Sequence, residues 1–328
     1  MLSRCTVLLA AAALSIVAVG YPLLYAPQEA EAAYSCSGKQ IYPPQNLTNV
    51  AAGSPAGTTF CIHDGTYSVS NPVRVQNNDK FIGLYNDSSR PQIVTTQAQQ
   101  LFNAGGSNGA TIKGLKVSGA VGGDSCKPGC GQGIRGGDHL TVYDVWVTNN
   151  KNQGIGGAGP GLLVQNSIID HNGSYAFTSN PDVNSSAGIK TTNSITVLNS
   201  KIYDNYWNGV WCDEQCGALT VKGSTLTGNG KAGIHYEIST GPAVIAGNTI
   251  KGNGTLARAN AHDGLLIVSS AHVDAYNNTF GGNVGYGAMV KDDSRWPSVS
   301  DVDIHDNTMN LDGLLGCLLS GVNCFGNK

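Results

Sequence analysis

Apolar and polar residues alternate along this chain in short runs, broken by Gly, Asn, Asp and Ser. Period-two alternation predicts half-buried strands, and no period-3.6 pattern is long enough to predict a substantial helix. The runs also repeat. One pattern, apolar-x-Asn/Gly-Ser/Asn-x-apolar-x-x-Asn, appears as VQNSIIDHN, VLNSKIYDN, VKGSTLTGN, IAGNTIKGN and AYNNTFGGN, ending at Asn172, Asn205, Asn229, Asn253 and Asn283. IHDNTMN near the C-terminus is a worn copy. The steps Asn205 to Asn229 to Asn253 are 24 residues each. A second element follows each copy: GIRGG from Gly133, GIGGA from Gly154, GIKTT from Gly188, GVWCDE from Gly209, GIHYEI from Gly233, GLLIVS from Gly264 and GAMVKD from Gly287.

A short repeat of two or three strands without a helix predicts one coil of a parallel β-solenoid. Each coil buries one apolar side, and stacking covers the backbone groups of the next. The expected fold is therefore all-β, a single-stranded parallel β-helix of nine or ten coils with capped ends. Residues 33–60 are expected to cover the N-terminal end and the apolar segment 311–328 the C-terminal end, because bare ends expose strand edges. Asn at a fixed turn position can take left-handed dihedrals and bond to the Asn of the adjoining coil. That accounts for 30 Asn in 328 residues and removes Asn172-Gly-Ser and Asn253-Gly-Thr as attractive glycosylation sites. A leucine-rich horseshoe lacks its Leu spacing here, and a propeller needs a longer repeat.

Composition narrows the partners. Only 12% of residues are charged and the formal net charge is −3, which argues against nucleic-acid binding or a polybasic membrane surface. Runs such as Gly154-Ile155-Gly156 are coil turns, not nucleotide loops, because no βαβ unit follows. Arg4, the apolar run Val7 to Val19 and the small-residue site Ala30-Glu31-Ala32 predict a signal peptide over residues 1–32. The remaining 33–328 is expected to be a secreted, monomeric domain. Beyond Cys5 it holds an even set of eight cysteines, which in an exported chain reads as disulfides. Proximity suggests Cys36–Cys61, Cys126–Cys130, Cys212–Cys216 and Cys317–Cys324, although spacing alone leaves connectivity open. A zinc site at the Cys-x3-Cys pairs lacks matching His residues.

The Asn-ended repeats, from about 105 to 310, resemble the right-handed parallel β-helix proteins of the pectin-lyase-like superfamily. The segment GTTFCIHDGTYSV (57–69) resembles the first coil of many secreted bacterial members. The resemblance implies a right-handed coil over roughly residues 40–312. It does not imply one activity, because the superfamily holds lyases, hydrolases, epimerases and non-catalytic surface proteins. The chain lacks the paired Asp and Arg-x-Lys pattern of polygalacturonases, the Asp-Pro-His-Asp pattern of alginate epimerases and the Asp-His strand of pectin lyases. Those catalytic residues are therefore not carried over.

Candidate chemistry follows from alternation in the Gly-led strands. Ile134, Ile155, Ile189, Val210, Ile234 and Leu265 should point inward. The next positions should then point outward: Arg135, Gly156, Lys190, Trp211, His235, Leu266 and Met289. Two residues further lie Gly137, Ala158, Thr192, Asp213, Glu237, Val268 and Lys291. With coils about 4.8 Å apart, Asp213 and Glu237 become stacked neighbours beside His235 and Trp211, with Lys190 one coil away. Such a pair raises one carboxyl pKa unless a cation intervenes.

The pair admits several uses. It can serve as acid and nucleophile or base in glycoside cleavage. With Lys190 or Arg135 it can bind a uronate, His235 or Lys190 taking the α proton. With Glu214 it can ligate Ca2+ as a cofactor. The bland alternative is a solvated wall. Insertions at YAFTSNPDVNSS (175–186) and GTLARANAH (254–262), with CKPGCGQG (126–133), should line the same face. Tyr175, Phe177 and Trp211 can stack on sugar rings or pack under the loops. His171, His262 and Asp263 read as structural, and the turn from Lys291 to Arg295 as solvated.

The expected function is binding of an extracellular polysaccharide in an outward groove, with processing as a polysaccharide lyase or glycoside hydrolase. A non-catalytic cell-wall or surface glycan-binding protein is the alternative.

Overall fold

The computed structural model describes residues 35–85, 89–122, 130–157, 159–174, 186–256 and 262–328. Ala33–Lys328 forms one compact unit. Three parallel sheets run its length. Sheet I has twelve strands, from Lys39–Ile41 to Val322–Phe325, and sheets II and III have ten each. Sheet II runs from Thr66–Ser68 to Thr308–Asn310, and sheet III from Val73–Arg74 to Leu314–Leu315. Each coil contributes one strand to each sheet, as Leu219–Lys222, Thr225–Thr227 and Ile234–Glu237 illustrate. Among the described residues this makes ten complete coils, with one further sheet I strand at each end, Lys39–Ile41 and Val322–Phe325.

The inward positions are those that alternation predicts. Ile134, Ile155, Ile189, Val210, Ile234 and Leu265 are fully buried in the interior of the coil. They are also in register: Ile134 pairs with Ile155, Ile155 with Ile189, Ile189 with Val210 and Val210 with Ile234.

Two turn ladders hold the coils together. In the first, the side-chain amide of each Asn donates to Oδ1 of the next. The chain of bonds is Asn150 to Asn172 (2.9 Å), Asn172 to Asn205 (3.0 Å), Asn205 to Asn229 (3.0 Å), Asn229 to Asn253 (2.9 Å) and Asn253 to Asn283 (3.0 Å). The same amides also donate to strand carbonyls, as Asn229 does to Ile202 at 3.1 Å. Asn172 and Asn253 are thus buried and doubly engaged.

Left-handed backbone falls one residue earlier than expected. His171, Asp204, Gly228 and Gly252 carry it (φ 51, 51, 65 and 62°), whereas the ladder Asn residues do not. The preceding residue makes the sharp turn, which frees the Asn to aim its amide along the stack.

The second ladder, at the Ser/Asn position of the repeat, was not read from sequence. It runs Ser167, Ser200, Ser224, Asn248, Asn278, Asn307, Asn327, each backbone N–H donating to the side-chain oxygen on the next coil.

The Gly of each sheet III strand is required by the first ladder. A Cβ on Gly209 would sit 2.9 Å from Asn229 Nδ2 and 2.5 Å from the Gly233 carbonyl, and Gly188 and Gly233 are crowded likewise. Asn turn and Gly-led strand are therefore one steric unit.

The ends differ. A short helix, Leu47–Ala52, is capped by Asn46, whose side chain accepts from the Asn49 N–H (3.0 Å), and buries Leu47 and Ala51 over the first coil. Residues 311–328 instead continue the coil with Leu314–Leu315 and Val322–Phe325, leaving Leu311 and Leu318 fully exposed. Cys36–Cys61, Cys212–Cys216 and Cys317–Cys324 are disulfides. Cys130 is also disulfide-bonded, and Cys126 lies outside the described residues.

Candidate functional site

The outer face of sheet III carries the predicted column in register. Arg135 pairs with Gly156, Gly156 with Lys190, Lys190 with Trp211, Trp211 with His235, His235 with Leu266 and Leu266 with Met289. Asp213 follows Cys212, the partner of Tyr236, so Asp213 and Glu237 take successive positions of the next column.

Each carboxylate meets its own cation. Lys190 Nζ lies 2.9 Å from Asp213 Oδ2, and Arg295 Nη2 lies 2.6 Å from Glu237 Oε1. The second Glu237 oxygen accepts from Trp211 Nε1–H at 3.1 Å. Arg295 also holds Asp293, Nε lying 2.8–2.9 Å from the two carboxylate oxygens. The bare repulsion between Asp213 and Glu237 is thereby met by cations on both sides. Asp293 itself is held well below the ordinary carboxylate range, mainly by its hydrogen bonds from Arg295.

Trp211 is a filler between coils. Lys190 Nζ sits 3.3 Å from the ring centroid, and the His235 ring stacks on Trp211 at 5.4 Å and 11°. Neighbours on the preceding and following coils thus occupy the ring faces a sugar would need. His235 is 3% exposed. Burial first, then the positive charge of Lys231, and further Lys190 and Arg295, hold its pKa well below 6.5 against the opposing pull of Asp213. Its imidazole is neutral at pH 7. His235 Nε2 lies 3.4 Å from Glu237 Oε2, but the alignment makes no hydrogen bond and both ring nitrogens are without a partner.

The face changes character along the axis. Leu266 and Val268 take the positions of His235 and Glu237 on the next coil and form a separate buried apolar cluster with Ala232 and Met289. Arg135 lies at the other end of the column and is exposed. Glu214 is exposed on the turn after Cys212, with φ 51°. Among the described residues no group of three His, Cys, Asp or Glu side chains is placed to hold a metal ion, so Asp213, Glu214 and Glu237 do not converge as a Ca2+ cage. Tyr175 and Phe177 lie outside the described residues.

Comparison with known proteins agrees with the fold. The family model described as the right handed beta helix region matches residues 93–261 and again 189–327. The chain belongs to the right-handed β-helix family. The fold is thus a right-handed parallel β-helix, as the sequence resemblance implied.

Among solved structures, PfbA, a surface adhesin of Streptococcus pneumoniae, has a TM-score of 0.52 at 12% identity, over 86% of this chain and 85% of that one. The periplasmic alginate epimerase AlgG gives 0.48 at 15% identity, over 87% and 82%. The A-module of the Azotobacter vinelandii mannuronan C-5 epimerase AlgE4 gives 0.47 at 12%, over 86% and 93%. At such identities the likeness speaks to fold alone. No curated protein sequence matches the chain.

Sequence reasoning missed Arg295, which it left on a solvated turn. A signal was present in the family's own geometry. Glu237 pairs with Val268 and Val268 with Lys291, so the turn after Lys291 starts two coils above Glu237, within reach of an Arg side chain. It also missed Asn208 and Gln132. Gln132 donates from Nε2 to Gln153 Oε1 at 2.7 Å, and both amides lie over Gly156, where a Cβ would meet them at 2.4 and 1.7 Å.

Proposed function

We propose that this is an exported protein that binds polysaccharide along the outer face of sheet III, between Arg135 and the Arg295 turn. The observation that carries the reading is the half-buried charged cluster of Lys190, Asp213, Glu237 and Arg295. Burying ion pairs gains little stability over well-packed apolar residues. The next coils pack the same positions with Leu266, Val268 and Met289, so the coil itself does not need charge there. A polar, largely desolvated cluster at positions that the next coil packs with apolar side chains supports a ligand site there. The disulfides and the N-terminal signal-like segment support export.

Binding is favoured over turnover because both carboxylates are already ion-paired and His235 is buried. A lyase or hydrolase reading is kept by one relationship, two acids on successive coils, a spacing of about 5 Å that suits retaining glycoside cleavage. In that reading Asp213, Glu237, His235 and Lys190 are the reacting groups. Retention of wild type and Asp213→Asn on a panel of immobilised polysaccharides tests binding. The expected result is retention of wild type on at least one polysaccharide and its loss in the variant. Reducing ends or 235-nm absorbance appearing with wild type would move the reading to catalysis. Equal retention of both proteins would remove this face as the site.

A further inference from the structure

The chain has four tryptophans, and three of them are covered. Lys116 Nζ lies 4.0 Å from the Trp146 ring centroid, and the Trp146 indole N–H donates to Asp170 Oδ1 at 2.7 Å. Trp207 is buried, with the Tyr206 ring stacked on it at 6.4 Å and Lys231 Nζ 5.1 Å from its centroid. Trp211 lies between Lys190 and His235 and donates to Glu237. Trp296 is the exception. It is 67% exposed, more than any other aromatic side chain among the described residues.

Trp296 follows Arg295 on the turn that leaves sheet III after Ala288–Lys291 and enters sheet I at Ser300–His305. That turn is tied at several points. Arg295 pairs with Glu237 on the site face and with Asp293 on its own turn. Asp293 Oδ1 also accepts from Ser269 Oγ at 2.5 Å. The two oxygens of Asp292 accept from the Ser294 N–H at 2.9 Å and the Val299 N–H at 3.3 Å. Pro297 and Val299 are buried. An open indole is therefore held one residue from the cation that contacts Glu237. A single exposed apolar residue is ordinary on a surface. An indole on a turn already fixed by charged contacts to a binding face is different, because a ligand meets a broad apolar surface with little left to order.

We infer that Trp296 is the stacking platform of the glycan site, and that a sugar ring of the bound polysaccharide lays its C–H face on the indole. The inference rests on the polysaccharide-binding reading above and names the group that grips the sugar. A pyranose ring carries its hydroxyls mostly around the edge and a patch of C–H groups on the face. The indole face is apolar and negative in its quadrupole, which suits those weakly positive hydrogens. Trp211, the tryptophan to which alternation points, has both ring faces occupied and cannot take this role.

Acrylamide quenching of tryptophan fluorescence tests this, with soluble mixed-linkage glucan, galactomannan, polygalacturonate and alginate as probes. Trp296→Phe should remove most of the quenchable emission, since the other three indoles are covered. With a saturating probe that binds, quenching of wild type should fall about twofold or more, because the bound sugar shields the ring. Trp296→Ala should weaken that probe tenfold or more, and Trp296→Phe, which keeps a ring, should retain most of the affinity. A probe that binds wild type and is lost in Asp213→Asn, yet leaves quenching unchanged, overturns the inference while the sheet III site stands. Wild-type affinity of Trp296→Ala for such a probe does the same. Failure of every probe to bind overturns both. If Trp296→Ala does not fold, quenching of wild type decides.

Discussion

Arg295 reaches back 58 residues along the chain to set Nη2 2.6 Å from Glu237 Oε1, while Trp211 Nε1–H holds the other oxygen at 3.1 Å. The pair joins an exposed turn to the second of two acids in the site column. Glu237 is largely buried (13% side-chain exposure) and Arg295 is not (42%), so the loss falls on the acid when the Arg is removed. Arg295→Ala is expected to lower unfolding free energy by roughly 1–2 kcal/mol, between the exposed and buried limits. Glu237→Gln in that background should recover part of the loss, since a neutral amide needs no cation. Urea denaturation of the four-member cycle measures it, and strictly additive effects would show that the two residues do not interact.

The first ladder predicts coupled sensitivity at Asn229 and Gly209. Asn229→Ala removes donors to Asn253 and the Ile202 carbonyl, and the acceptor used by Asn205. A destabilisation of about 2–4 kcal/mol is expected from the buried groups left unpaired. Gly209→Ala should cost about 1–3 kcal/mol through overpacking against Asn229. Thermal melts report both. A Gly209→Ala protein as stable as wild type would mean that the Gly-led strand is not fixed by the ladder.

Two histidines should titrate in opposite directions. His305 is raised above 6.5, first by its hydrogen bond with Asp306 (2.8 Å) and then by Asp274 (3.0 Å). Its contribution to stability is full below about 6.5 and fades as pH rises through its folded value. His235 is held well below 6.5, chiefly by burial, so its contribution is present above about 6.5 and is lost as pH falls. NMR titration of the imidazole signals should find His305 half-protonated above 6.5 and His235 neutral at pH 6. A His235 midpoint near 6.5 would contradict its burial.

The disulfides differ in the loops they close. Cys36 and Cys61 are 25 residues apart, Cys212 and Cys216 only 4. In the loop-entropy picture the first is worth about 3.5 kcal/mol and the second about 2 kcal/mol. Paired Cys→Ser variants, compared by chemical denaturation, should rank in that order. The reverse order would show that the Cys212–Cys216 turn does more than restrict the unfolded chain.

What the sequence made legible was whatever repeats. The Asn205–Asn229–Asn253 ladder, the inward Ile134-to-Leu265 column and the outward Arg135-to-Met289 column all follow from one period and one alternation. The left-handed turn residue was displaced by one position because both neighbours at the turn, such as Asp204 and Asn205, are compatible with it by type. Contacts perpendicular to the repeat were not legible. Lys190 covering Trp211 and the Arg295 turn folding onto Glu237 depend on side-chain reach and on a segment outside the repeat. The unpaired amide nitrogen of Asn208, whose Oδ1 accepts from the Ala232 N–H, was hidden for a related reason, since nothing in its type tells whether an Asn is satisfied.

Hydrogen exchange with and without the tightest-binding polysaccharide tests the central claim most directly, because it locates the ligand without a substitution. Protection is expected in the peptides that carry Lys190, Asn208 to Asp213, His235 to Glu237 and Arg295, with no change in sheet I strands such as Ala271–Tyr276. Protection confined to sheet I, to the exposed C-terminal leucines or to the N-terminal helix would contradict a glycan site on the outer face of sheet III.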